Sequence, residues 1–161
     1  MPPVRRRSRT TSTDVVLPMN QPYMNQIVSG DKSHEFRKYK LSPQIKRVWF
    51  YITSPECQIS YICGINPAKT LTSKDDPLPL NGLGNKEFIG RHPDWEGYGF
   101  AYEIKSVYKL REPLTLTVLK EKYGWMAAPR WMVYVTPNMM KDITLEDQIK
   151  IRGEDISRNS S

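Results

Sequence analysis

Lys32, Glu35 and Arg37 follow closely on Gly30, in the pattern Gly-x-Lys-x-x-Glu-x-Arg. Two cations around one carboxylate can serve either of two purposes. On an extended strand successive side chains alternate, so Glu35 and Arg37 share one face while His34 and Phe36 share the other. Phe36 then belongs to the core. Glu35 and Arg37 are either an ion pair bracing the strand or, with Lys32, the lining of a cleft where Arg37 offers a planar fork to a phosphate or a base edge. Ser33, beside the lysine, points another way once the strand begins.

Aromatic side chains are the second resource. The chain has Trp49, Trp95, Trp125 and Trp131 together with nine tyrosines, and rings of this kind hold unstacked bases of single-stranded RNA. Trp49 alternates within an apolar run and is assigned to the core. Trp95, in a Gly- and Pro-rich stretch, and Trp131, next to Arg130, are the ring candidates for a cleft, although packing of a loop onto the body would also use them. Lys plus Arg number 24 against 17 acidic residues, a formal charge of +7. That balance favours anionic partners such as nucleic acid.

Other chemistries find little support. Cys57 and Cys63 are the only cysteines, and with His34 and His92 they show none of the close spacings of a zinc site. If residues 57–63 form one strand, both sulfurs lie on the same face about 20 Å apart and cannot pair. The apolar runs are strand-sized, too short to span a bilayer, and the N-terminus does not resemble a signal peptide. The expectation is therefore an intracellular chain, nuclear or cytoplasmic, with free thiols, no metal, no cofactor and no membrane partner.

The elements that must position the charged strand are legible in part. Pro22 in a first turn, Tyr23, Ile27 and Val28 on one side and Gly30 as a left-handed stop predict a helix from about Gln21 to Ser29. Strands are predicted at Arg47 to Thr53, Gln58 to Ile65 and Phe100 to Tyr108, with Ile59, Tyr61, Cys63 and Ile65 on one face of the second. Leu116 to Tyr123 reads as a helix, Trp131 to Thr136 as a closing strand, and Thr144 to Ile149 as a last helix capped by Thr144 and Asp147. From Asn66 to Tyr98 runs a long polar connection, of a length that is more often functional or partly disordered than decorative.

Met1 to Asp14, with Arg5, Arg6, Arg7 and Arg9, holds too few apolar residues to offset the entropy of ordering and reads as a disordered basic tail. It would be a nuclear-localisation or phosphate-gripping arm, or a solvated tail of no specific role; Pro2 and Pro3 count against the helix of a transit peptide. Residues 15–152 form one domain and 153–161 a frayed end. Several strands with few short helices imply an α+β fold, a small and mostly antiparallel β-barrel with flanking helices.

The Gly30, Lys32, Glu35, Arg37 pattern resembles the signature of the ASCH domain, a member of the PUA-like superfamily. Val48 to Pro55 looks like that family's second strand, and Gly99 to Ile104 like a later one. Glu112-Pro113-Leu114 and Ala128-Pro129-Arg130-Trp131 resemble its proline-marked segments, so the likeness runs from about Leu17 to Val135. The resemblance implies a PUA-like barrel and an RNA-binding or modified-nucleotide-binding module, with Lys32, Glu35, Arg37, Trp95, Arg130 and Trp131 as the expected contacts. Some small ASCH proteins are instead amidohydrolases of acylated cytidine that use a lysine, a threonine and a glutamate. Lys32 matches that lysine, but the threonine position carries Glu35, which has no hydroxyl, and the glutamate could be Glu103 or Glu121. Catalysis is thus left open, and a protein-interaction adaptor using the long connection is a third reading.

Overall fold

In a computed structural model, residues 12–71 and 78–153 are described. Strand β1 (Asp14–Met19) leads through helix α1 (Gln21–Ser29) to the short β2 (His34–Arg37), then to β3 (Arg47–Ile52) and β4 (Gln58–Ile65). Helix α2 (Asn85–Ile89) and a 3-10 turn at Pro93–Trp95 precede the long β5 (Phe100–Thr115). Helix α3 (Leu116–Tyr123), β6 (Val133–Tyr134), α4 (Pro137–Asp142), a 3-10 turn at Leu145–Asp147 and β7 (Ile149–Gly153) complete the order.

The strands form one curled, mixed sheet in the order β2-β5-β4-β3-β1-β6, with β7 also on β5. All pairings are antiparallel except β1 with β3. That exception has a simple cause: α1 carries the chain back between the two strands, and a crossover of this kind leaves them parallel. β5 is the spine. Its first residues pair with β2 and its middle with β7 along one edge, while β4 occupies the other edge. The α+β, mostly antiparallel barrel with short flanking helices expected from the sequence is observed as a curled, mixed half-barrel.

Both faces of the central strands are buried, which is why they read as continuous apolar runs. Val15, Leu17, Val48, Phe50 and Cys63 pack with Met24 and Ile27 of α1, whereas Val16, Trp49, Tyr51, Ile59 and Ile62 pack with Leu119 of α3 and Met139 of α4. A third, smaller cluster joins Phe36 to Leu78, Phe88 and Ala101. It seats the connection before β5 against the short strand β2.

Several expectations are corrected. Asp14 does not end a tail but opens β1, 2% exposed, with its carboxylate accepting from Arg47 Nε at 3.0 Å and Trp49 Nε1 at 2.8 Å; the rest of the basic tail, residues 1–11, lies outside the described residues. Gly153 likewise ends β7, and the fraying expected for residues 154–161 lies outside the described residues. The alternation expected along β4 breaks at a bulge between Ile59 and Tyr61, so Ile59 and Cys63 face opposite cores. Cys57 packs near Ile59 and Cys63 in the α1 core, on different faces and not on one; both are free thiols. β5 continues through Pro113 to Thr115, the closing strand shrinks to two residues, and the last helix expected over Thr144 to Ile149 is only a 3-10 turn at Leu145–Asp147, with Ile149 opening β7.

Candidate functional site

Helix α1 brings the first cation to the site. It starts at Gln21 with Pro22 in its first turn and stops at Gly30, whose φ of 92° is the left-handed cap expected there. The Lys32 N–H then donates to the Gln26 carbonyl at 3.0 Å, so the lysine is folded back beside the helix. The guanidinium of Arg152, on β7, donates to the Val28 carbonyl at 2.9 Å and to that of Ile27. A cation at a helix C-terminus satisfies orphan carbonyls and complements the dipole. The end of α1 is thereby tied to the sheet from which β2 hangs.

On β2, Glu35 pairs with Tyr102 and Arg37 with Phe100 across the ladder. Glu35 Oε1 accepts from Lys32 Nζ at 3.1 Å, and Oε2 from Arg37 Nε at 2.8 Å. Arg37 also donates through Nη2 to the Pro18 carbonyl of β1 at 2.9 Å. The side chains of Lys32, Glu35 and Arg37 are only 12%, 7% and 16% exposed. Water screens such pairs weakly, so they brace the strand. Yet the same three residues line a cavity of about 460 Å³, within the range typical of ligand pockets. One triad thus forms the bracing ion pairs and also lines the cavity.

Tyr23 of α1, Phe36, Trp95 and Tyr98 bring rings to that cavity, and Pro18, Asn20, Thr53 and Asp94 complete its polar rim. Lys32 Nζ sits 5.2 Å from the Tyr23 ring centroid and 5.9 Å from that of Phe36, a cation–π distance for each. Trp95 meets Phe36 edge-on at 5.0 Å, so the tryptophan is both a wall of the cavity and a prop for the strand. Thr53 Oγ1 donates to Asn20 Oδ1 at 2.7 Å and fixes the opposite lip.

Of the residues expected to act together, the fold assembles Lys32, Glu35, Arg37 and Trp95, but it does not bring Arg130 or Trp131 into the lining. Trp131 is 74% exposed. It precedes β6, whose Val133 pairs with Val16, and the chain there runs alongside β1 outside the cavity. Glu103 and Glu121 also lie elsewhere: Glu103 accepts from Asn66 Nδ2 at 2.8 Å and pairs with His34 across the ladder, and Glu121 is exposed on α3. Tyr23, Thr53, Asp94 and Tyr98 went unread as site residues. Only proximity in the fold unites them.

His34, buried at the start of β2, shares a hydrogen bond between Nδ1 and Ser33 Oγ at 2.8 Å, while Nε2 has no partner. Burial holds its pKa below the usual imidazole value, against the pull of Glu103 and with a contribution from Lys69. Among the described residues no group of His, Cys, Asp and Glu is arranged to hold a metal ion, and no helix is long and apolar enough to cross a membrane.

No family model and no curated protein sequence matches the chain. Solved structures do. An ASCH protein from Zymomonas mobilis superposes with a TM-score of 0.60 at 19% identity, covering 80% of this chain and 92% of its own. A variant of the Zymomonas mobilis protein gives a TM-score of 0.59 at 17% identity, covering 85% and 97%. Likeness at such identity speaks for the backbone and not for the chemistry, and it agrees with the curled sheet described above. The chain has the ASCH-domain fold.

Proposed function

We propose that the chain is an ASCH-type module that binds RNA or a modified nucleotide in the cavity around Glu35. One observation carries the reading: a nearly buried carboxylate held between two cations opens into a cavity walled by Tyr23, Phe36, Trp95 and Tyr98. A carboxylate has about four lone-pair sites, and Lys32 and Arg37 occupy two of them. The remainder can accept from an exocyclic amine of a base. Arg37 uses Nε and Nη2 internally, which leaves Nη1 for a phosphate or a base edge. The rings supply faces on which a base stacks irrespective of its sequence. The excess of Lys and Arg supports attraction of a polyanion.

Anisotropy titration of a labelled single-stranded RNA at rising salt tests the reading. Binding is expected, with log K falling linearly against log salt as counterions are released. In a parallel incubation, acylated cytidine is expected to stay intact. Its steady conversion to cytidine would assign an amidohydrolase instead, and absence of RNA or nucleotide binding would remove the proposal.

A further inference from the structure

A second cavity, of about 580 Å³, adjoins the first and shares Trp95 and Tyr98 with it. The two rings stand 6.0 Å apart, centroid to centroid, and form a ridge between the cavities. Lys38 Nζ lies over this ridge, 5.0 Å from the Tyr98 ring centroid. Beyond it, Leu71, Phe88, Pro93 and Phe100 give the second cavity an apolar lining, with Arg91, His92 and the carboxylate-bearing Glu96 also on its wall.

Arg91 is unusual in backbone and in side chain. Its φ is 53°, a left-handed conformation that residues other than glycine, asparagine and aspartate adopt at a cost. The residue is exposed, and no hydrogen bond or ion pair engages its guanidinium among the described residues. His92 Nδ1 accepts from the Asp94 N–H at 3.1 Å and stands 3.8 Å from the Asp94 carboxylate; in the neutral ring the proton is then on Nε2, which is left to donate outward. The surface thus runs from a charged cavity, over a cation-topped aromatic ridge, into an apolar cavity flanked by a free cation and a free donor.

We propose that the two cavities are adjoining subsites for a single-stranded oligonucleotide, with one nucleotide against Glu35 and Arg37 and the next against Arg91 and His92. The proposal rests on the nucleotide reading of the first cavity and extends it from a single nucleotide to a strand. Successive bases occupy the two cavities on either side of Trp95 and Tyr98, and the phosphodiester between them crosses the ridge within reach of Lys38. A mononucleotide leaves the second cavity, Arg91 and His92 unused. The apolar lining fits a base face better than a phosphate, whereas Arg91 at the wall fits the phosphate that follows.

Calorimetric titration of the full chain with nucleoside monophosphates and with mixed-sequence RNA tetramers, in the unmodified protein and in Arg91→Gly and Arg91→Lys, decides the matter. Glycine suits the left-handed backbone, so Arg91→Gly removes the charge without endangering the fold. Tetramers are expected to bind the unmodified protein about tenfold or more tightly than monophosphates, as one added stacked base allows. Arg91→Gly should lose most of that advantage, lower the salt slope by about 0.7 and leave monophosphate binding alone, while Arg91→Lys keeps the slope. If monophosphates bind but tetramers bind no tighter, or if Arg91→Gly leaves tetramer affinity intact, the second subsite is wrong and the first stands. If neither ligand binds, the first cavity is not a nucleotide site and both readings fall.

Discussion

Arg37 has a structural duty and a proposed binding duty, which two substitutions separate. It holds the buried Glu35 carboxylate and the Pro18 carbonyl, and in the proposed complex its free Nη1 meets the ligand. Arg37→Ala is expected to weaken nucleotide binding by about 1–3 kcal/mol and to cost about 3–5 kcal/mol of stability, because Glu35 keeps only Lys32. Arg37→Lys restores the charge without the planar fork, so stability should recover further than affinity. Titration alongside thermal melts separates the two effects. Unchanged affinity in a folded Arg37→Ala protein would take this residue out of the site.

His34 is expected to make the domain less stable in mild acid. It is 2% exposed, with Nε2 unpartnered and its pKa lowered by burial. An unfolded histidine takes up its proton near about pH 6.5, above the folded value, so below that pH the unfolded state binds more protons. The contribution of His34 is therefore complete above about pH 6.5 and is lost as pH falls through the folded pKa. Urea midpoints at about pH 7.5 and 5.5 should drop more in the native protein than in His34→Gln; equal drops would show that other groups govern the acid limb.

The charged triad was legible at this scale because its members sit on one short segment, where spacing alone fixes which side chains can meet. Tyr23, Thr53 and the pair Asp94 and Tyr98 come from three separate segments that only the folded chain brings beside the triad. Trp131 looked like a partner through its neighbour Arg130, but adjacency in sequence does not place it on the cavity.

Among the elements, helix α1 and strands β3 and β4 were legible from their caps and β-rich composition, whereas β1, α4 and β7 were not. β1 is buried on both faces and contains Pro18, so it shows no alternation, and missing it hid the parallel pairing with β3. Thr144 and Asp147 do bond, at 2.6 Å between side chains, but a cap alone cannot extend a helix when nucleation is costly. β5 tolerates Pro113 because the register jumps from Leu114 opposite Ile59 to Lys109 opposite Tyr61. A proline inside such a bulge breaks no ladder bond.

β7 is small yet consequential, since its Arg152 holds the end of α1 and hence the approach to Lys32. Gly153 has a φ of 81°, and a Cβ there would run into the Lys105 carbonyl and the Ser106 backbone. Gly153→Ala is expected to detach β7 and to cost about 1–3 kcal/mol. Hydrogen exchange should then quicken in β7 and in the last turn of α1 together. Faster exchange in β7 alone would mean that α1 does not depend on Arg152.

At the scale of the molecule, the sheet wraps α1 on one face and carries α3 and α4 on the other, while the connection before β5 folds over β2. The described part of that connection from Leu78 onward, which composition marked only as long and polar, is held by Leu78, Phe88 and Trp95 packed about Phe36. It contributes walls to two cavities. The likeness to ASCH structures covers most of the chain but rests on backbone shape at 17–19% identity, so side chains must carry the functional argument. The net charge of +7 favours a polyanion at any face; it does not choose one.

An NMR amide-shift map during titration with a short single-stranded RNA asks which face is chosen. The account predicts that the largest shifts cluster at Asn20, Tyr23, Lys32 to Arg37, Thr53 and Asp94 to Tyr98, saturating together with one dissociation constant. Saturating shifts confined to other surfaces, such as Arg130 to Tyr134, with the residues around Glu35 unmoved, would contradict it.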